Sequence, residues 1–405
     1  MNNMEYRLGE LYEVSNGLSK SGDCFGSGYP FLSFSTVFNN YFIPDEIRNS
    51  VQSTDKEQSI FSIKEGDVFV TRTSETADEL GMSCVALKDY PNATYNGFCK
   101  RLRPVTNNTY PIYMGYYFRT PHFRANFIKI ASLITRASLR NEDLLKFKVE
   151  LPTVEKQKQI AQILYTYDKL IKNNNERIKL LEQMAENLYK EWFVRFRFPG
   201  YETAEFENGL PKGWEIQQAQ NIFDISIGRT PDRKQFDYFT YNENDVLWVS
   251  ISDMKDNIFI TRSSEYLTDE AIKKVNMPMV KADTVLLSFK LSVGRVAITT
   301  KLSCTNEAIA HFKTNDKDLL EYTYLYLKLF NYQNLGNTSA IGNAVNSTII
   351  KKMKFILPNR DLLEMFHNSA KDIFTEIKNL KYSNENLIKQ RDLLLPRLMS
   401  GKLEV

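Results

Sequence analysis

Apolar residues fall at Ile160, Leu164, Tyr167, Ile171, Ile178, Leu181, Ala185 and Leu188, an alternation of four and three broken only at Asn174. A period of 3.5 marks a narrow seam, the pattern of a helix that packs along a partner of similar length. A second run keeps the same frame at Phe366, Ala370, Ile373, Ile377, Leu380, Leu387 and Leu394, with Asn384 and Arg391 as its polar interruptions. Each run follows a Leu-Pro step, an N-cap candidate (Thr153 or Asn359) and an acid suited to the positive end of the helix dipole (Glu155 or Asp361). Phe198-Pro199-Gly200 is expected to stop the first helix and Pro396 to end the second.

The two seams belong to a larger repeat. Leu151-Pro152 recurs as Leu357-Pro358, and at that one ungapped offset Thr153 matches Asn359, Ile160 matches Phe366, Ile171 matches Ile377 and Leu188 matches Leu394. Upstream, with small gaps, Leu11-Tyr12-Glu13-Val14-Ser15 echoes Ile222-Phe223-Asp224-Ile225-Ser226, and Phe31-Leu32-Ser33 echoes Trp248-Val249-Ser250. A third block aligns Gly66-Asp67-Val68-Phe69-Val70 with Ala282-Asp283-Thr284-Val285-Leu286. Both are β-rich runs leading into a polar loop.

The chain therefore reads as α+β, with two repeated mixed α/β domains separated by two long helices. The boundaries are 1–152 for the first domain, 153–200 for the first helix and linker, 201–358 for the second domain, and 359–405 for the second helix and tail. A seam of about five heptads needs a long partner, and its own copy supplies one. One helix carries the chain forward and the other returns it, so the pair is expected to be an antiparallel coiled coil, with Val405 near Met1. About 39 residues at 1.5 Å each make a rod of roughly 60 Å. The same stripe also suits the core of an ordinary helical hairpin, against which stands its recurrence in both halves.

Composition adds limits rather than a function. With 405 residues and 42% hydrophobic content the chain can bury ordinary cores. No segment has the roughly 20 uninterrupted apolar residues of a membrane helix, and the first ten residues lack a signal-peptide layout, so no membrane is expected and the cytoplasm is the default location. A net charge of +3 neither requires nor forbids nucleic acid, because local clustering of Lys and Arg decides that. Cys24, Cys84, Cys99 and Cys304 form no CxxC pair and are expected to be small hydrophobes. The nucleotide-binding, zinc-protease and nucleophile-elbow patterns are absent, and His122, His311 and His367 are dispersed. No independent active site is expected.

Sequence readers need Lys and Arg for phosphates, and Arg, Asn, Gln, Ser or Thr for base edges. Candidate DNA contacts are Arg72 and Thr73 after the strand beginning at Asp67, Arg136 and Arg140 before the first helix, and Lys290 and Arg295 after the matching strand of the second domain. Arg229, Arg233 and Lys234 form a further basic cluster. A single surface Arg is more often a solubilising charge, so the weight rests on clustering at equivalent loops.

The run Leu151-Pro152-Thr153-Val154-Glu155-Lys156-Gln157-Lys158-Gln159-Ile160-Ala161 resembles the opening of the first conserved helical region of Type I restriction-modification specificity subunits. Phe198-Pro199-Gly200, Leu210-Pro211-Lys212-Gly213-Trp214 and the close at Leu394-Leu395-Pro396-Arg397-Leu398 carry the same resemblance, whereas Asn359-Arg360-Asp361 departs from the Glu-x-Gln opening. The resemblance implies two target-recognition domains, each reading half of a split site on double-stranded DNA. It also implies that the helices set the unread gap and dock two methyltransferase subunits, which in turn carry restriction/translocase subunits. S-adenosylmethionine, ATP and Mg would then belong to those partners, with no cofactor or metal on this chain. Two other classes compete: a coiled-coil scaffold or RNA-binding protein, and a nuclease or methyltransferase with degenerate motifs.

Overall fold

The structure is a computed structural model that describes residues 3–72, 80–131, 140–332 and 346–405. The chain divides into two compact units, Met1–Ile171 with Asn386–Val405, and Lys172–Glu385. The division runs through both long helices, Val154–Tyr189 and Arg360–Met399, so each unit holds one β-rich domain and a part of each helix.

In the first unit four antiparallel strands pair in the order Tyr12–Asn16, Cys99–Pro104, Val68–Thr71, Ser83–Val85. In the second the order is Asp224–Ile227, Ile309–Lys313, Val285–Ser288, Val296–Thr299, with Phe259–Ile260 added in parallel at the edge. Alternation sends one face of each sheet to a large core and the other to a small one. Val68, Val70 and Leu102 join the helix residues Ile160, Leu164, Leu395 and Leu398, while Phe69, Cys84 and Cys99 pack with Leu32 and Tyr95. Val285, Leu287 and Phe312 likewise join Ile178, Ala185, Phe366 and Ile377, while Leu286, Ala297 and Ile309 pack with Leu247 and Val249.

Strand register allows positions in the two sheets to be matched one for one. Ser15 lies opposite Arg101, which lies opposite Phe69. Ser226 lies opposite His311, which lies opposite Leu286. Val68 is therefore the counterpart of Val285, one place away from the pairing that the Asp67 and Asp283 blocks suggest. Asp67 matches Thr284, and Asp283 matches Gly66. Both Gly66 and Asp283 adopt left-handed backbone, at φ 86° and 57°. A one-residue slip would turn every side chain to the wrong face, so core burial overrides the chemical likeness of two aspartates. The pairings Val14 with Ile225 and Phe31 with Trp248 agree with the sequence repeat. Gly17 and Gly228 close the same turn, where a Cβ would stand 2.1 and 2.2 Å from the carbonyl oxygens of Asn96 and Asn306.

A two-stranded ribbon ties each domain's start to the residues that lead into its long helix: Met4–Arg7 with Lys148–Leu151, and Glu215–Gln218 with Lys354–Leu357. The helix starts fall where the caps predict them. The Thr153 hydroxyl accepts from the Lys156 amide at 3.4 Å, and Asn359 Oδ1 from Leu362 at 2.9 Å. The ends differ from expectation. The first helix passes at Tyr189 into a wider turn over Lys190–Val194, before Pro199 is reached, and Phe196 takes φ 55°. The second runs through Pro396 to Met399 and stops at Gly401, φ 72°. Proline removes one amide in the last turn, whereas buried Leu395 and Leu398 hold that turn against the first unit's core.

Within each unit the helix segments run antiparallel. In the second, buried Asn174 donates to Asn384 Oδ1 at 2.9 Å and exposed Arg177 reaches Glu376 at 2.6 Å. In the first, Arg391 pairs with Asp168, which also accepts from Tyr116. The seam's polar interruptions thus meet one another or an acid, and Arg391 also lies over the Tyr41 ring. Among the described residues no helix is long and apolar enough to cross a membrane.

Candidate nucleic-acid interface

Among the described basic candidates, Arg72 and Lys290 follow directly on the end of the strands Val68–Thr71 and Val285–Ser288. The local frame there is the same in both units. The Thr71 hydroxyl accepts from the Met82 amide at 2.9 Å, and the Ser288 hydroxyl from Arg295 at 3.0 Å. The next amides, of Arg72 and Phe289, donate to Phe98 and Ala308 at 2.9 Å each.

In the second unit the loop after this strand is a tight hairpin. Ser292 donates back to the Lys290 carbonyl at 2.7 Å, Gly294 takes φ 91°, and Leu291 stands at its tip at φ 61° and 96% exposed. Lys290 and Lys234 extend into solvent. The arginines are committed locally. Arg229 donates to the Val275 carbonyl at 2.6 Å, closing the helix Asp269–Val275, and Arg295 holds the Ile251 carbonyl at 2.8 Å. Arg233 makes two bonds to Glu265, at 2.7 and 2.8 Å, and lies over the rings of Phe239 and Trp248. Glu307 sits among these groups. The Thr230 hydroxyl holds its carboxyl below the usual range, and Lys290 and Arg233 act in the same direction. Folding therefore brings Lys290 and Arg233, distant in sequence, to Glu307, while Arg229 and Arg233 both contact Trp248.

In the first unit Thr73 and Arg136 lie outside the described residues. Arg140 is exposed at the residue before the short helix Asn141–Lys146. Arg72 is half-buried, and its Nε is buried without a hydrogen-bond partner. Beside it is Lys100, only 3% exposed, whose ammonium donates to Asn16 Oδ1 at 3.1 Å and to Asn141 Oδ1. Burial pushes this ammonium down to about 8, and Arg72 pushes it the same way. Sequence reading passed over Lys100 and Asn16. A signal existed, because Lys100-Arg101 are consecutive charges inside the strand Cys99–Pro104. Arg101 points to the opposite face, where it donates to the Ser62 carbonyl at 2.8 Å.

The counterpart of Arg101 is His311, fully buried between the hydroxyls of Ser226 at 2.9 Å and Thr305 at 2.7 Å. Burial pushes its imidazole down to about 4. His367, on the second long helix, bonds Glu321 at 2.7 Å. Among the described residues no group of three His, Cys, Asp or Glu side chains has the arrangement of a metal site.

The sequence profile of the Type I restriction modification DNA specificity domain matches this chain twice, at residues 1–183 and 211–391. The chain belongs to that family. The two matches fall on the two halves of the repeat, and each takes in a β-rich domain with most of a long helix. The specificity subunit of the HindI Type I restriction enzyme of Haemophilus influenzae is 24% identical to this family member, over 98% of this chain and 99% of that one. The MjaIX specificity subunit of Methanocaldococcus jannaschii is 24% identical over 98% of this chain and 92% of that one. Among solved structures, the S subunit of a Type I restriction-modification system from M. genitalium has the same fold. Its TM-score is 0.58 at 12% identity, covering 98% of this chain and 96% of that one.

Proposed function

We propose that this family member is the DNA-reading subunit of a Type I restriction-modification complex, with each unit reading one half of a bipartite duplex target. The observation that carries the reading is the duplication: one sheet frame is built twice and followed each time by a long helix. Two like surfaces on one chain suit recruitment of two copies of one partner. The paired helices set the unread gap and dock two methyltransferase subunits, and restriction/translocase subunits join through these. The chain takes no chemical step. Methyl transfer needs S-adenosylmethionine and a target base flipped out of the duplex, and both belong to the partner's pocket, as do ATP and Mg with the translocase.

The test is an exchange of residues 1–152 for the matching segment of another member of the family, followed by mapping of methylated positions in the host genome. One half-site changes and the other is retained. Changes in both halves overturn modular reading. S-adenosylmethionine or metal binding by the isolated chain speaks for an enzyme, and preference for RNA over duplex DNA at fixed salt speaks for a scaffold or RNA-binding protein.

A further inference from the structure

Two cations, Lys100 and Arg72, lie side by side in the first unit, and among the described residues no acid pairs with either. Lys100 and Asn16 are directly opposed across neighbouring strands, and Val70 opposes Lys100 on the other side. Arg72 follows Val70 by two residues, so it stands on the same face of the sheet, on the diagonal from Lys100. The groups that face the ammonium are Asn16 and Asn141, whose carboxamide oxygens it holds, and Arg72. No acid contributes to the shift of Lys100. A buried charge without a counter-charge is costly, and an unpaired buried Nε on Arg72 adds to that cost. Because both carboxamides give their oxygens to Lys100, what remains is their Nδ2 hydrogens, alongside the Arg72 guanidinium. Among the described residues the rim is therefore made of donors. Asn16 is exposed, and Asn141 and Arg72 are half-buried, so this rim is open to a ligand while the ammonium lies one layer beneath it.

A rim of donors over two positive charges fits a singly charged group with several acceptor oxygens. We propose that Arg72, Asn16 and Asn141 receive one backbone phosphate of duplex DNA, with Lys100 as the residue that positions the two asparagines and balances the charge. The proposal rests on the DNA-reading function above and adds a contact that distinguishes the two units. At the equivalent places the second unit has Ile227 for Asn16, Ala310 for Lys100 and Phe289 for Arg72, all apolar. Phosphate contacts there must come from elsewhere, such as the exposed Lys290 and Lys234.

The experiment measures binding of the full chain, assembled with its methyltransferase subunits, to a labelled mixed-sequence duplex over a series of salt concentrations. Each phosphate contact contributes about 0.9 to the slope of log affinity against log salt. Arg72→Gln and Lys100→Met should each make that slope shallower by about 0.9, with unchanged circular dichroism. Lys100→Arg should recover the slope. A purely structural role for Lys100 would not alter the response to pH. The proposal requires wild-type affinity to fall between pH 7 and 9 as the ammonium discharges, and to stay flat in Lys100→Met and Lys100→Arg. Arg72→Gln keeps the test valid if Lys100→Met fails to fold, because Arg72 is partly exposed. Duplex binding with an unchanged slope in the folded variants overturns the phosphate receptor and leaves the DNA-reading function standing. Unchanged slopes together with stabilisation of wild type, but not of Arg72→Gln, by inorganic phosphate reassign the rim to a free anion. A wild-type complex that ignores duplex DNA overturns both.

Discussion

The two units use one backbone frame and fill it with different chemistry, and the difference is sharpest where one side chain replaces another at a matched position. Asp67, fully buried, is clasped by Arg103 through two bonds at 2.8 and 2.6 Å, whereas its counterpart Thr284 satisfies itself with one bond to the Lys281 carbonyl at 3.0 Å. The match of Arg103 is Lys313, which makes only an exposed pair with Asp224 at 2.8 Å. Arg101 donates to the Ser62 carbonyl, whereas its match His311 sits between two hydroxyls and is held neutral by burial. Strand pairing and one apolar face are enough to specify the frame. Buried polar positions such as Asp67 and Arg101 differ between the units without changing that frame.

The largest effect expected is on specificity. Exchange of residues 1–152 replaces one reading surface whole, and loss of a half-site amounts to a large share of the roughly 4–10 kcal/mol that separates specific from non-specific binding. Competition between old and new targets, measured for each half-site separately, checks it. A retained preference for the old first half-site would mean that reading is not partitioned between the units.

Next is the buried pair. Arg103→Met leaves the Asp67 carboxylate enclosed without its counter-charge and should destabilise the first unit by about 3–5 kcal/mol. Lys313→Met, which breaks only the exposed pair in the second, should cost less than about 1 kcal/mol. Chemical denaturation of both variants gives the contrast, and equal losses would contradict it.

Acid should also separate the units. His311 binds its proton less well folded than unfolded, so its contribution to stability is complete above about pH 6.5 and is lost as pH falls from there towards 4. The loss reaches about 3 kcal/mol at the low end. His311→Gln should lack this component, which thermal unfolding at stepped pH would reveal as a smaller drop than in wild type.

The seam tests a smaller contrast. Asn174→Leu removes the donor to buried Asn384 Oδ1 and should cost about 1–3 kcal/mol, recovered in the double variant with Asn384→Leu. In the first unit the polar layer is the charged Asp168–Arg391 pair. If the double variant is no more stable than Asn174→Leu alone, the asparagine pair is not a matched layer.

Much of this was legible in the chain because it depends on short-range pattern. The seam period, the caps Thr153 and Asn359, the repeat at Leu151-Pro152 and the order of blocks are local signals, and the same physics governs them wherever the chain lies. The first helix, by contrast, leaves regular geometry at Tyr189, ahead of the Phe198-Pro199-Gly200 breaker. Pro396 was outweighed by the burial of two neighbouring leucines. The interface was less legible still. Arg229, Arg233 and Arg295 stand out in sequence as free cations, but the fold engages them with a helix end, a carboxylate and a carbonyl. Lys100 reads as an ordinary strand charge until Asn16, Arg72 and Asn141 close around it.

The sequence by itself determined that there are two copies of one design, each a β-rich domain followed by a helix with a narrow apolar stripe, because periodicity and capping are encoded within a few residues of one another. Only the tertiary structure decided the strand register, which moved one block of the repeat by a residue, and the choice of which basic side chains are free to meet a ligand. Both depend on which groups are buried together, and burial couples residues tens of positions apart that no local pattern connects.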